Sequence, residues 1–168
     1  MRIILNLKRE MRCCSKQIIL LFLGATMLCG SISPLICGNL RYYYMLELPD
    51  FCLSAPVFVL SWCVVLALLG VSAGFVIGNT DKCRKKLRQR AAVLYSVMIL
   101  LCALWYPVFF ILNSMIRSLI VALAILVIGF LLIRIYVKVS LLSAIFMIFY
   151  QLWIVYCIIV NFCVIIIN

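Results

Sequence analysis

Along the chain the polar residues are confined to short segments, and between them stand five apolar runs, at about 17–37, 55–78, 91–113, 117–136 and 140–167. Crossing the hydrocarbon of a bilayer takes roughly 20 apolar residues in an α-helix, so each run predicts one transmembrane helix. A closed β-barrel also satisfies its backbone in lipid, but its strands alternate polar and apolar residues. The stretch "LIVALAILVIGFLLI" (119–133) is apolar on every face, which argues against a barrel. The pattern therefore predicts an all-α integral membrane bundle, a single domain over 1–168. Its narrowest break is "RIYVKVS" (134–140), between the fourth and fifth helices.

Composition removes the soluble alternative. The chain is 69% hydrophobic and 11% charged, with fifteen basic residues, four acidic ones and no histidine. That is too little polar surface to cover a core this apolar, so the solvent is lipid and the first partner is the bilayer.

Charge then sets an orientation. Arg2, Lys8, Arg9, Arg12 and Lys16 precede the first helix, "NTDKCRKKLRQR" (79–90) carries six more basic residues, and Arg134 and Lys138 stand in the last connection. Only Arg41 and Arg117 fall on the other side. Basic residues near helix ends stay cytoplasmic, which predicts a cytoplasmic N-terminus and a C-terminus outside. The net charge of +11 does not indicate nucleic acid, because the basic residues flank helices and no nucleic-acid-binding motif accompanies them. Such residues also attract anionic headgroups, at about 1 kcal/mol each. A secretory signal is the alternative for "KQIILLFLGATMLCG" (16–30), which is read as part of the first helix.

Chemistry is sparse. The ten cysteines include no C-x-x-C pair, and without histidine there is little to complete a metal site. Cys63, Cys102, Cys157 and Cys163 lie inside predicted helices, where cysteine acts as a small apolar residue. Cys13 and Cys14, beside the basic N-terminal stretch, are candidates for acylation, and Cys37 and Cys52 bracket the first loop and are candidates for a disulfide. Glu10, Glu47, Asp50 and Asp81 all fall outside the predicted spans. No acid is therefore placed to carry protons within the membrane, and no catalytic arrangement emerges.

What the spans do carry is small residues and rings. Gly70, Gly74 and Gly78 recur every four residues on the second helix, a stripe that lets another helix approach closely. It is read as packing within the bundle, with a homodimer contact as the alternative. On the fifth helix Tyr150, Trp153, Cys157 and Asn161 fall within an arc of about 80° at roughly 100° per residue. An amide in hydrocarbon needs a partner, so this face should look inward. Cys102, Trp105, Tyr106 and Phe109 share a similar arc on the third helix, as do Trp62, Leu66, Leu69 and Ala73 on the second. These three faces predict either an aromatic core or an apolar cavity lined by rings, suited to a flat hydrophobic ligand.

In their order these motifs resemble the TspO/MBR family, the translocator or tryptophan-rich sensory proteins also called peripheral-type benzodiazepine receptors. The family's third helix usually reads N-x-x-W-x-P-x-F-F, and "CALWYPVFF" (102–110) matches it at Trp105, Pro107, Phe109 and Phe110, with Cys102 for the asparagine. "FYQLWIVYC" (149–157), then Asn161 and Asn168, resembles the family's fifth helix at Tyr150 and Trp153, with Phe149 where proline is usual. "LRYYYMLELPDF" (40–51) is similar to its first loop. "SWCVVLALLG" (61–70) is similar to its second helix at Trp62 and Gly70, with Leu66 in place of a tyrosine. The resemblance covers about 40–168.

The resemblance implies a five-helix fold with a pocket beneath the first loop that binds porphyrin, haem or other hydrophobic molecules, without a required cofactor. Carried over by position, it nominates Tyr43, Trp62, Cys102, Trp105, Tyr150 and Trp153 as ligand-binding residues, and gives Pro107 the role of ending or bending the third helix. It also implies, for some members, light-dependent porphyrin breakdown and binding of a sterol-like lipid. The only sterol-type pattern here is Leu132, Tyr136 and Lys138 on the fourth helix. The leading expectation is a membrane sensor or translocator for tetrapyrroles. The alternative is a ligand-free scaffold or subunit that assembles through Gly70, Gly74 and Gly78.

Overall fold

The computed structural model describes residues 15–37, 45–80 and 82–168, apart from the side chains of 31–37, 55 and 82. Tyr43, Cys13 and Cys14 lie outside the described residues, as does the Cys37 side chain on which a pairing with Cys52 depends. Among the described residues there are five α-helices: α1 (Lys16–Cys37), α2 (Ala55–Ile77), α3 (Lys85–Phe110), α4 (Met115–Val139) and α5 (Leu141–Ile167). A 3-10 turn, Lys82–Arg84, leads into α3. α2, α3, α4 and α5 are each long and apolar enough to cross a membrane, and the described apolar part of α1, Lys16–Gly30, is shorter.

The ends of the helices follow from local chemistry. α3 begins inside the basic run rather than after it, because Lys, Arg and Gln are good helix formers and lose little rotamer freedom there. Pro107 stands in the last turn of α3. Its carbonyl collects the N–H groups of both Ile111 and Leu112, at 2.9 and 3.0 Å, and the chain leaves the helix through Asn113 at φ 46°, a left-handed conformation that asparagine tolerates.

Between α4 and α5 a single extended residue, Ser140, reverses the chain (φ −150°, ψ 118°). Its N–H closes α4 on the Tyr136 carbonyl at 2.7 Å, and its hydroxyl accepts the Ser143 N–H at 3.3 Å to cap α5. Ser140→Ala is expected to cost about 1 kcal/mol, the usual worth of such a cap. It should appear as a lower unfolding midpoint in detergent with no change in helix content.

The helices close a ring in the order α1, α2, α5, α4, α3, with α3 packing back on α1 and touching α2 across the interior. Leu69, Ala73 and Val76 of α2, Tyr95 and Met98 of α3, Leu132 and Tyr136 of α4, and Met147 and Tyr150 of α5 meet at the centre. Large apolar side chains such as Leu100, Ile120, Val127 and Leu152 point outward. That distribution is stable only with hydrocarbon around it.

With lipid outside, helices are held by close contact and interhelical hydrogen bonds rather than by a hydrophobic driving force. Both devices are present. The Gly70, Gly74 and Gly78 stripe lies against α1: a Cβ at Gly74 would stand 2.7 Å from the Ile19 Cα, and one at Gly70 would stand 2.8 Å from the Leu23 Cα. The stripe therefore faces α1 of the same chain, the packing reading of the two. Across α4 and α5 the Gln151 Nε2 donates to the Leu126 carbonyl at 2.7 Å, beside Gly129, where any side chain would collide with it. The Asn161 amide likewise faces inward and donates to the Ser118 hydroxyl at 3.0 Å.

The two ends of the bundle differ. At one end the Arg84 guanidinium donates to the Val139 carbonyl and ties the start of α3 to the end of α4. At the other, the 45–54 segment is fastened onto α5. Leu53 N–H donates to the Tyr156 hydroxyl at 3.0 Å, and the Asn168 side chain brackets Glu47, accepting its N–H at 2.9 Å and donating to its carbonyl at 3.0 Å.

Candidate functional site

Three helices bring rings together near the 45–54 end. Pro56 in the first turn of α2 suits a helix start, where its missing N–H has no partner to lose. One turn further on, Phe58 and Trp62 stand four residues apart on the same face and stack, with centroids 6.4 Å apart and planes 6° from parallel. Phe58 also touches Trp153 of α5 at 5.2 Å, and Trp153 touches Tyr156 at 5.3 Å. On the other side Trp62 meets the edge of Tyr106 at 6.2 Å. Tyr106 contacts Trp105 at 5.4 Å and Phe110 at 5.7 Å, and Trp105 stacks on Phe109 at 5.1 Å. All three tryptophans therefore belong to one continuous chain of rings running from α5 through α2 to α3.

Cys102 and Tyr150 sit one layer deeper. Tyr150 is fully buried, and its hydroxyl and the Cys102 thiol lie 3.1 Å apart in a hydrogen bond. A further buried polar contact joins the Thr26 hydroxyl of α1 to the Tyr95 hydroxyl of α3, with Thr26 donating to the Phe22 carbonyl at 2.6 Å. The sequence-nominated residues thus fall into two groups. Trp62, Trp105 and Trp153 share the aromatic chain, whereas Cys102 and Tyr150 form a paired layer of the core beneath it. Tyr43 lies outside the described residues.

Phe58 and Tyr156 are members that sequence reasoning missed. The signal for Phe58 was its position four residues before Trp62, one turn away on a helix.

The aromatic faces meet one another rather than surrounding an open pocket. Among the described residues the enclosed space beside them is a cavity of about 10 Å³ lined by Trp62, Leu66, Cys102 and Tyr106 together with Thr26 and Cys29 of α1. Ligand sites generally run to about 300–1,000 Å³. The expected ring-lined cavity is therefore closed in this structure. Phe58 occupies the space between two indoles, and the Leu66 side chain fills the gap above Gly30.

One polar feature stands out in this apolar setting. The indole N–H groups of Trp62 and Trp153 are both buried, and neither has a hydrogen-bond partner among the described residues. An indole N–H is a donor only, and leaving one unpaired away from water costs about 1–3 kcal/mol. Two such donors in one aromatic chain suit a hydrophobic molecule that brings acceptors of its own.

The sequence model of the TspO/MBR family matches residues 18–167, nearly the whole chain. No individual curated protein matches it.

Proposed function

The chain belongs to the TspO/MBR family, and on that premise we propose that this membrane protein of the sensor or translocator type binds a flat hydrophobic ligand of the tetrapyrrole class, porphyrin or haem, among the rings of α2, α3 and α5. The observation that carries this reading is the unbroken aromatic chain with the orphan indole donors of Trp62 and Trp153. Rings stack on a conjugated macrocycle, and a peripheral carboxylate on the ligand would accept the N–H groups. The closed state of the site adds a condition. A ligand of this size must part the rings, and Phe58, touching both tryptophans, is the side chain it displaces.

One position of the proposed site departs from the family pattern. Cys102 stands where the family usually has asparagine and is already paired with Tyr150, so it is a poor donor to a ligand. The polar contacts then fall to the two indoles. Charge supports the proposed orientation, with the 82–90 segment, Arg134 and Lys138 in the cytoplasm and the 45–54 segment outside.

The test is a titration of detergent-purified protein with protoporphyrin, followed by tryptophan quenching. Saturable binding is expected. Trp62→Ala with Trp153→Ala should weaken it about fivefold or more, since each ring contact is worth about 0.5–1.5 kcal/mol and tenfold corresponds to about 1.4 kcal/mol. Read by the ligand's own absorbance, binding that is unchanged in the double variant would exclude this site.

A further inference from the structure

A second hydrophobic recess lies on the outside of the ring of helices. Between α2 and α5 an open groove of about 520 Å³ is lined by Leu60, Ser61, Val64 and Leu68 on one side and by Phe149, Leu152, Trp153 and Tyr156 on the other. Its volume falls within the range of small-molecule sites. At 1.5 Å rise per residue the α2 wall from Leu60 to Leu68 runs about 12 Å along the helix. The groove is thus a trough parallel to the spans rather than a pit, and Leu60, Val64, Phe149 and Leu152 are exposed along it.

Its polarity is uneven. The hydroxyls of Ser61 and Tyr156 lie toward the end where the 45–54 segment is fastened, and Leu68 and Phe149 at the other end are wholly apolar. That order, polar at the membrane interface and apolar toward the midplane, matches a lipid lying beside a transmembrane helix. Glu47 and Asp50 on the neighbouring segment disfavour an anionic head, and the hydroxyls are donors suited to a neutral acceptor.

We infer that this groove is a binding site for one acyl chain of a neutral glycerolipid, the chain lying along Val64, Leu68, Phe149 and Leu152 and the ester carbonyl accepting a hydrogen bond from Ser61. The occupant comes from the surrounding bilayer, a phosphatidylcholine in the simplest case. The site is separate from the proposed tetrapyrrole site, although the two share Trp153: its ring lines the groove and touches Phe58 within the aromatic chain. Lipid in the groove therefore rests against the wall of the inner site.

The same ring makes the inference measurable. In a Trp62→Phe, Trp105→Phe protein Trp153 is the sole tryptophan, excited selectively beyond the tyrosine absorption, and phosphatidylcholine with a dibrominated acyl chain quenches an indole it touches. Titrated into the detergent-purified protein, this lipid should quench Trp153 saturably. Val64→Phe, which fills the trough, should remove the saturable phase, whereas Val127→Phe on the lipid-facing side of α4 should not. An ether-linked analogue without the carbonyl should bind about threefold or more weakly, and Ser61→Ala should bring the ester lipid down to the ether lipid's affinity, as loss of one hydrogen bond predicts.

Should the single-tryptophan protein fail to fold, the difference in quenching between wild type and Trp153→Phe reports the same contact. Quenching that rises in proportion to added lipid, that is equal for ester and ether lipids, or that Val64→Phe leaves unchanged means general lipid contact and overturns the site. Protoporphyrin binding measured on Val64→Phe keeps the two sites apart, because loss of the lipid phase with porphyrin binding intact bears on the groove alone.

Discussion

Gly74→Leu is expected to destabilise the bundle by more than about 3 kcal/mol and to separate α1 from α2. The reason is the identity of the atom that a side chain would meet. A Cβ at this position stands 2.7 Å from the Ile19 Cα and 3.3 Å from its Cβ. Backbone cannot rotate aside as a flexible side chain does, so the helices themselves must move apart. Overpacking a well-packed contact costs about 1–3 kcal/mol, and occasionally more. Here separation also forfeits close contact along the rest of the stripe, at Gly70 and Gly78, which is what holds helices together in lipid.

Gly24 is the control within the same pair of helices. A Cβ there meets nothing within 4 Å, so Gly24→Ala should be neutral or stabilising by up to about 1 kcal/mol through helix propensity. Unfolding by a denaturing detergent, followed by tryptophan fluorescence, gives both midpoints. If Gly74→Leu and Gly24→Ala unfold together, α1 does not dock where the structure places it.

The second large effect concerns Tyr150, which the family resemblance nominates for ligand contact. In the structure it is fully buried among the α2, α3 and α5 core residues and paired with Cys102. Tyr150→Ala should therefore cost about 3–5 kcal/mol, the range for removing a buried ring, and much of the variant should fail to fold. Tyr150→Phe keeps the ring and removes only the hydroxyl, so a loss of about 1 kcal/mol is expected from the broken contact with Cys102. Protoporphyrin affinity should stay within about twofold of wild type for Tyr150→Phe, in contrast to the Trp62 and Trp153 variants. A large loss of affinity in a well-folded Tyr150→Phe protein would instead place its hydroxyl in contact with ligand and move the site one layer inward.

How far the sequence could be read depended on whether the signal was local. Apolar length alone marked the spans, and the breaks at Ser140 and around Asn113 coincide with polar residues. The start of α3 was hidden because Lys85 to Arg90 look like a loop by charge yet are strong helix formers. The order of helices around the ring left no trace in any one helix, since spans that are apolar on every face carry little information about which side packs. The glycine spacing announced a close approach without naming α1 as the partner.

The same division holds at the site. Trp62, Trp105 and Trp153 were legible from spacing, because a tryptophan well inside a span is unusual. Phe58 was not, because a phenylalanine near a helix start is ordinary there. That the rings pack on one another depends on how three helices lean together, which no single stretch encodes. The motifs resembling the family began at about residue 40, whereas the family match reaches back to residue 18. α1 contributes mainly apolar surface, and apolar surface carries no motif.

The ring order also bears on how the protein is made. Helices emerging one after another from the ribosome arrive as α1 to α5, yet α5 sits between α2 and α4. The first four can therefore assemble only as an open arc, with the inner edges of α2 and α4 unsatisfied until the last helix is inserted. Gln151 and Asn161, the two amides that bond α5 to α4, are both carried by that late helix. Throughout synthesis the seam between α2 and α4 stays unclosed, and a nascent protein halted before α5 should lack both amide bonds and unfold more readily than the full chain.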